Sequence, residues 1–324
     1  MKQFLQKVDS YGLPLLVSSV IRVLIVQIRK MFGIKEPVIR NIFDYKMYLD
    51  IYDKGLSAQL IKYRKREMDH KFLLDRTLTE GSVVLDIGAN IGYYALMELN
   101  LIGPSGSLIA VEPSPWNVNL LEKNLELNKK KDNVRVVLGA ISSSSGTDTF
   151  HLASSSNLNT FQNYGTVTQH LTGETIEVNT YRVAEVLTKE EFDRGIDLIR
   201  MDVEGHEVDV INGMMHEIKA GTLSPSIIFE THLSRYTKEN DMVASLQGLF
   251  DCGYSVKYIA SSWQAGTERI RTFGYKEFES VKTDGCIRSI FQDIKPKDAI
   301  EIICNTGGAR TVYLESPSKI QSSS

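Results

Sequence analysis

The sequence predicts an α/β fold: a doubly wound, mostly parallel seven-stranded sheet of Rossmann-like form, with an N-terminal helical extension and a β-rich insertion after the third strand. Three observations predict it. From Ser82 onward, short apolar runs alternate with helical stretches, as strands buried on both faces and joined by right-handed crossovers do. The first apolar run passes through Asp86 into a turn carrying Gly88 and Gly92. The alternation is broken only at 141–187, which is rich in Ser, Thr and Asn and has β-type segments at 148–152 and 174–180.

Taken in order, residues 1–33 read as one or two helices and 35–53 as extended, with Tyr45, Met47, Tyr48, Leu49, Ile51 and Tyr52 supplying strand-type side chains. Residues 57–78 read as a helix bent near 64–67, and Gly81 stops it. Strands are expected at 83–86, 107–111, 134–138, 197–201 and 226–229, with helices at 93–101, 116–128 and 208–215. The division is therefore an appendage over 1–55, one large domain over 56–315 and a disordered tail over 316–324.

Composition narrows the function. Charged residues make up 24% of the chain and hydrophobic residues 42%, a globular balance, and the formal net charge is −3. A mildly acidic chain lacks the electrostatic footprint of a nucleic-acid binder. Cys252, Cys286 and Cys304 are odd in number, far apart and in no metal-ligand spacing, which points to reduced thiols and a cytoplasmic location. Within residues 12–33, the run 12–28 is apolar except for Ser18, Ser19, Arg22 and Gln27, and it is too short to span a bilayer. They read as a helix packed on the domain or on a second copy; the alternative is peripheral membrane contact, since Arg29, Lys30 and Lys35 flank them.

The turn Asp86-Ile87-Gly88-Ala89-Asn90-Ile91-Gly92 carries the chemistry. Glycine lets a backbone approach a ligand or take positive φ, and the helix that follows offers free N–H groups. Asp86 ahead of the glycines would repel a pyrophosphate but suits a cofactor with a positive amino group. Glu112 stands at the end of the next strand, where a carboxylate accepts from both hydroxyls of an adenosine ribose. A dinucleotide cofactor fits less well, because Asn90 stands where its fingerprint has glycine. A plain strand-to-helix turn would leave Glu112 unexplained.

A second cluster follows the strand at 197–201: Asp202, Glu204, His206 and Glu207; the next strand ends in Glu230 and His232. Strand C-terminal ends form the ligand crevice in open α/β sheets. These acids and histidines are candidates to orient an acceptor hydroxyl or take its proton, and their spacing matches no metal motif, so no metal is expected. Helix capping explains one of the acids but not the whole set.

In that order, VVLDIGANIGYY, VEPSPWNVNLLEKNLELN, NVRVVLGAIS, DLIRMDVEGHEVDVINGM and PSIIFETH resemble the FkbM-type methyltransferases, over about Glu67 to His232. The resemblance implies a class I methyltransferase fold, S-adenosyl-L-methionine as cofactor, and O-methylation of a sugar in a polysaccharide, glycolipid or secondary metabolite. It implies that Asp86, Gly88, Ala89, Asn90 and Gly92 form the cofactor loop, that Glu112 and Pro113 meet the ribose, and that Ala140 lies near the adenine. Glu67 and Asp202 complete the implied cofactor set, while Asp202, Glu204, His206, Glu230 and His232 are the catalytic candidates. The chain departs from the family in the basic run Lys62-Tyr63-Arg64-Lys65-Arg66, which suits an anionic acceptor. The expected partner is a small-molecule or glycan acceptor, and a homo-oligomer is left open. The rival readings are an NAD- or nucleotide-sugar-dependent oxidoreductase and a binding protein that kept the fold without catalysis.

Overall fold

The computed structural model describes residues 11–162 and 168–322. The chain opens on α1 (Leu13–Met31), with Pro14 in its first turn, and continues into the antiparallel hairpin of β1 (Val38–Asn41) and β2 (Lys46–Leu49). The expected bend at 64–67 is there: α2 (Leu56–Tyr63) and α3 (Met68–Thr77) are separated by Arg64 and Glu67, both with positive φ. Strand and helix then alternate as β3 (Val83–Ile87), α4 (Tyr93–Ile102), β4 (Ser107–Glu112), α5 (Pro115–Leu127) and β5 (Val134–Leu138).

The insertion after this third core strand folds as its own three-stranded sheet of β6 (Ala140–Ile141), β7 (Gly146–Ala153) and β8 (Leu171–Tyr181). The short helices α6 (Val183–Val186) and α7 (Lys189–Arg194) return the chain to β9 (Leu198–Met201), α8 (Glu207–Lys219) and β10 (Ser226–Glu230). Beyond it come α9 (Met242–Asp251), β11 (Ser255–Ser261), α10 (Gln264–Thr272), β12 (Glu279–Thr283), β13 (Cys286–Ile294), α11 (Pro296–Ile300), β14 (Ala309–Glu315) and α12 (Pro317–Ser322).

The main sheet has nine strands in the order β12-β13-β11-β14-β10-β9-β3-β4-β5, not the seven expected. The five from β10 to β5 are parallel, and the other four join them antiparallel. The two extra strands form the hairpin β12–β13, in the part of the chain beyond His232 where no motif guided assignment. The tail expected to be disordered from 316 is helical at Pro317–Ser322, and its last two residues lie outside those described, as do 1–10 and part of the insertion.

Strand order reverses at β3, between β9 and β4, so a crevice opens at the carboxyl ends of these strands. Alternation along each strand splits the core into two layers. Val83, Leu85, Ile87, Ile199, Phe229 and Ile211 pack on one face. Val84, Leu108, Leu198 and Ile228 pack on the other with Leu96 and Leu121. The N-terminal hairpin belongs to that second core: Met47 and Leu49 are fully buried in it, and the Asn124 side chain both accepts from the Tyr48 N–H (2.6 Å) and donates to its carbonyl (3.3 Å).

Candidate active site

The turn after β3 is shaped by close approach. Gly88 has φ +82°, and a Cβ placed there would lie 2.3 Å from the Asp202 carbonyl oxygen, so no other residue fits without moving the next strand's exit. Asn90 also has positive φ (+49°), held by its own Oδ1 accepting from the Ile91 N–H at 2.9 Å. Gly92 starts α4 and faces Leu121, not the crevice.

Glu112 ends β4 and is buried. Its carboxylate accepts from the backbone N–H of Asn90 (2.9 Å) and Ser114 (3.0 Å) and from the Asn117 side-chain amide (3.0 Å). Burial raises its pKa to about 7, because these three donors carry no full charge. It lines a cavity of about 500 Å³ with Gly88, Asn90, Pro113, Ala140, Asp202, Glu204 and His206. Ile87, Val111, Ile141 and Val203, with Phe150 and Phe161 from the insertion, give it an apolar side, and Ser156, Asn157 and Asn159 of the insertion add polar groups. A carboxylate short of donors beside an apolar slot fits an adenosine, with the ribose diol supplying O–H donors and the base against the aromatic wall.

Asp86 is placed otherwise than expected. It points to the second face of the sheet, is fully buried, and pairs with Arg200 of β9 at 3.1 Å. Its carboxylate lines neither cavity at the crevice. Arg200 also donates to the Gly88 carbonyl (3.3 Å) and to Asp202 (3.4 Å) and lies over the Tyr94 ring at 4.0 Å. It therefore ties the glycine turn to the acid after β9. Its one signal in the sequence was a charged residue inside an otherwise apolar strand.

The acids and histidines after β9 and β10 meet. His232 donates through Nδ1 to the Glu207 carboxylate at 2.8 Å, and its Nε2 faces Glu204 (3.6 Å), Asp202 (3.9 Å) and Glu230 (3.9 Å). Burial opposes a proton on this ring, but Glu207 and Glu204 outweigh it and hold the pKa well above the ordinary histidine value. Burial lifts Glu204 to about 7, with Asp202 adding and His232 opposing. Burial likewise lifts Glu230 to about 8, despite its ion pair with Arg310 at 2.7 Å. Asp202, Glu204 and His232 present ligand atoms within 4.8 Å of one another, a grouping able to hold a cation. Its members follow two different strands, so their spacing along the chain matches no metal motif.

His206 does not join this group. Its Nε2 meets the Ser142 hydroxyl at 3.1 Å, its ring lies 4.6 Å from Phe161, and burial lowers its pKa. It is a wall of the cavity, while His232 sits among the acids. Helix capping by these acids is not seen at the start of α8, whose N-cap His206 makes no side-chain cap bond.

A second cavity of about 390 Å³ adjoins the first and shares Gly88, Asn90, Asn157 and Asp202 with it. Ala89, Leu56, Tyr93 and Tyr94 line it with the charged Arg66, Glu67 and Arg200. Glu67 is buried, and burial alone would raise its pKa; Arg66 and Arg310 instead hold it well below the ordinary carboxylate range, and the Tyr94 hydroxyl donates to it at 2.5 Å. Its carboxylate is thus neutralised within the protein. Arg310, on β14, and Asn157, in the insertion, were beyond the reach of motif reading.

The segment 86–256 matches the model of the FkbM methyltransferase domain. The chain is 28% identical over 187 residues to the methyltransferase sdnD of Sordaria araneosa, covering 50% of this chain and 71% of that protein. It is 42% identical over 67 residues to a protein-L-isoaspartate O-methyltransferase of Methanothrix thermoacetophila, covering 21% of this chain and 30% of that one. A solved FkbM methyltransferase from Methylobacillus flagellatus aligns with TM-score 0.38 and 12% identity over 66% of this chain, which spans under half (44%) of that protein's length. With a family model matching more than half of its length and a crevice suited to adenosine, the chain belongs to the FkbM methyltransferase family, and it is an S-adenosylmethionine-dependent methyltransferase.

Proposed function

We propose that the chain methylates a hydroxyl on a sugar or glycoconjugate, with Glu204 as the general base. The observation that carries this is the Glu204 carboxylate, which lines the cofactor cavity beside Asp202 with its pKa lifted to about 7. A hydroxyl is a weak nucleophile, and a base is most useful when its pKa lies near the working pH. Bound S-adenosylmethionine supplies a methyl group already activated on a sulfonium. The chain's residues do the rest. Asp202 bridges both cavities and orients the acceptor hydroxyl, Glu204 takes its proton as the new oxygen–carbon bond replaces the carbon–sulfur bond, and His232 holds the resulting acid within the cluster. Glu230 and Glu207 fix His232 from either side.

A polar acceptor is favoured by the second cavity, whose wall mixes arginine, carboxylate, amide and two tyrosines, the groups that hydrogen-bond and stack on sugar rings. The basic run at 62–66 ends in Arg66 on this wall, where its guanidinium already pairs with Glu67. Free Cys252, Cys286 and Cys304 support a cytoplasmic location. The test is mass spectrometry of glycans from cells with and without the gene. A glycan heavier by one methylene only when the gene is present supports the reading; a modified protein or lipid amine and an unchanged glycan profile sink it.

A further inference from the structure

The sequence left α1 between a packed helix and a membrane-surface helix, and its two sides answer differently. One side is pinned down. Arg22 and Val26 are buried, and the Arg22 guanidinium donates to the Lys62 carbonyl at the end of α2, to the Leu15 carbonyl at 3.2 Å and to the Ser18 hydroxyl at 3.0 Å. The other side is apolar and exposed along the whole helix. Val17, Val20, Ile21, Leu24, Ile28 and Met31 are each 45–81% exposed, recur at spacings of three and four, and form one stripe. Phe32 extends it at 73% exposure. Nothing among the described residues covers this stripe. At about 1.5 Å per residue it runs for roughly 22 Å, far more contiguous apolar surface than a soluble monomer ordinarily leaves bare.

The charge in this part of the chain is mostly positive. Between Tyr11 and Arg66 the sequence has eleven Lys and Arg against four Asp and Glu, in a chain whose net charge is −3. Arg29, Lys30, Arg40, Lys62, Arg64 and Lys65 have no carboxylate partner among the described residues. Several lie close together: burial first, and then the guanidiniums of Arg64 and Arg29, lower the proton affinity of Arg40. Concentrated, unpaired positive charge beside an exposed apolar stripe calls for a partner that is apolar at depth and anionic at its face. No helix of the described chain is long and apolar enough to cross a membrane.

We propose that α1 lies in the surface of an anionic lipid bilayer, its stripe sunk between head groups and the surrounding Lys and Arg on the acidic phosphates. Arg22 fixes the roll of the helix, so the outward face is set by the fold before any lipid is met. A second copy of the chain fits this surface poorly, because a two-fold contact through α1 would bring two unpaired basic segments together. The arrangement also bears on access. α2, on which α1 rests, contributes Leu56 to the second cavity, and Arg66 follows just after it. The bilayer would therefore lie one helix away from the cavity proposed above for the acceptor. The inference itself does not depend on what the acceptor is.

The experiment is co-sedimentation of the full chain with phosphatidylcholine vesicles, alone and with about 30 mol% phosphatidylglycerol, beside the double variant Ile21→Glu/Leu24→Glu. Both positions are solvent-exposed, so the variant should fold, which circular dichroism and cofactor affinity check. Binding to the anionic vesicles is expected, at least about tenfold weaker on neutral ones and weakened by salt, and the variant should lose at least about tenfold in binding to the anionic vesicles with cofactor affinity unchanged. A charge-reversal variant, Lys62→Glu/Lys65→Glu, should lose vesicle binding while keeping the stripe. No binding to anionic vesicles, or equal binding by wild type and the stripe variant, overturns the proposal. So does a dimer in sedimentation velocity that the stripe variant abolishes, when vesicles are ignored by both.

Discussion

Glu112 has three N–H donors and no cation, and its behaviour follows from that. Its carboxyl keeps a proton up to about pH 7 in the folded chain, against 4.5 ordinarily. The folded state therefore binds the extra proton between these values, and stability falls as pH rises through that window. Ribose hydroxyls donating to the carboxylate would favour its charged form, so cofactor binding near pH 6.5 should release a proton, read as a buffer-dependent calorimetric enthalpy; equal enthalpies in all buffers would contradict it. Glu112→Ala should weaken cofactor binding by about 1.5–3 kcal/mol. Glu204 makes a separate prediction. Glu204→Gln should leave cofactor affinity intact and lower turnover by about a hundred- to ten-thousand-fold, as loss of a general base does. Because the base must be deprotonated and its pKa is lifted to about 7, wild-type turnover should fall as pH drops below 7. A flat profile with the true acceptor, together with a fully active Glu204→Gln, would move catalysis to another group.

At the scale of elements, the glycine turn and β9 act as one unit. A side chain at Gly88 meets the Asp202 carbonyl before it meets any ligand. Gly88→Val would therefore block the cofactor and also displace the exit of β9. Gly88→Ala is the better probe and should abolish measurable cofactor binding while lowering the melting temperature. Arg200 couples the same two elements. Arg200→Met leaves Asp86 buried without its ion pair, which should cost about 3–5 kcal/mol in chemical denaturation. A loss under 1 kcal/mol, measured the same way, would show that Asp86 is protonated and needs no partner.

At the scale of the molecule, the first 55 residues contribute side chains to the main core. Met47, Leu49 and Ile51 are at most 2% exposed and pack in the same layer as Val84, Leu96 and Leu121 of the central domain. Leu49→Ala should cost about 2–5 kcal/mol, the range for a large-to-small change in a close-packed core. A chain starting at residue 56 should bare that layer and aggregate instead of remaining a folded monomer, which size-exclusion chromatography checks. The nine-stranded sheet adds a counterpart at the far edge: β12 carries Thr283, whose hydroxyl accepts from the Met68 N–H at 2.9 Å, and the turn after it carries Asp284, whose carboxylate accepts from the Glu67 N–H. The turn after β12 thus holds the backbone at Glu67, a residue of the second cavity's wall.

The sequence by itself determined whatever depends on neighbours along the chain. The turn of Gly88 and Gly92, the acid closing β4, the bend at 64–67 and the alternation from β3 to β10 are local patterns, in which backbone conformation and hydrophobic period are written in consecutive residues. Tertiary structure decided what depends on pairing across the chain. Asp86 was legible as an acid in the right place, but that Arg200 neutralises it follows from β3 and β9 being neighbours in the sheet. Glu204 and His232 were both visible, yet only the parallel pairing of β9 with β10 puts one 3.6 Å from the other and leaves His206 in the wall. Arg310 reaches Glu67 and Glu230 across 243 and 80 residues of sequence for the same reason, from a strand that no motif marked. Charge and burial act through space, so a one-dimensional pattern can nominate ionisable groups but cannot say which of them will share a proton.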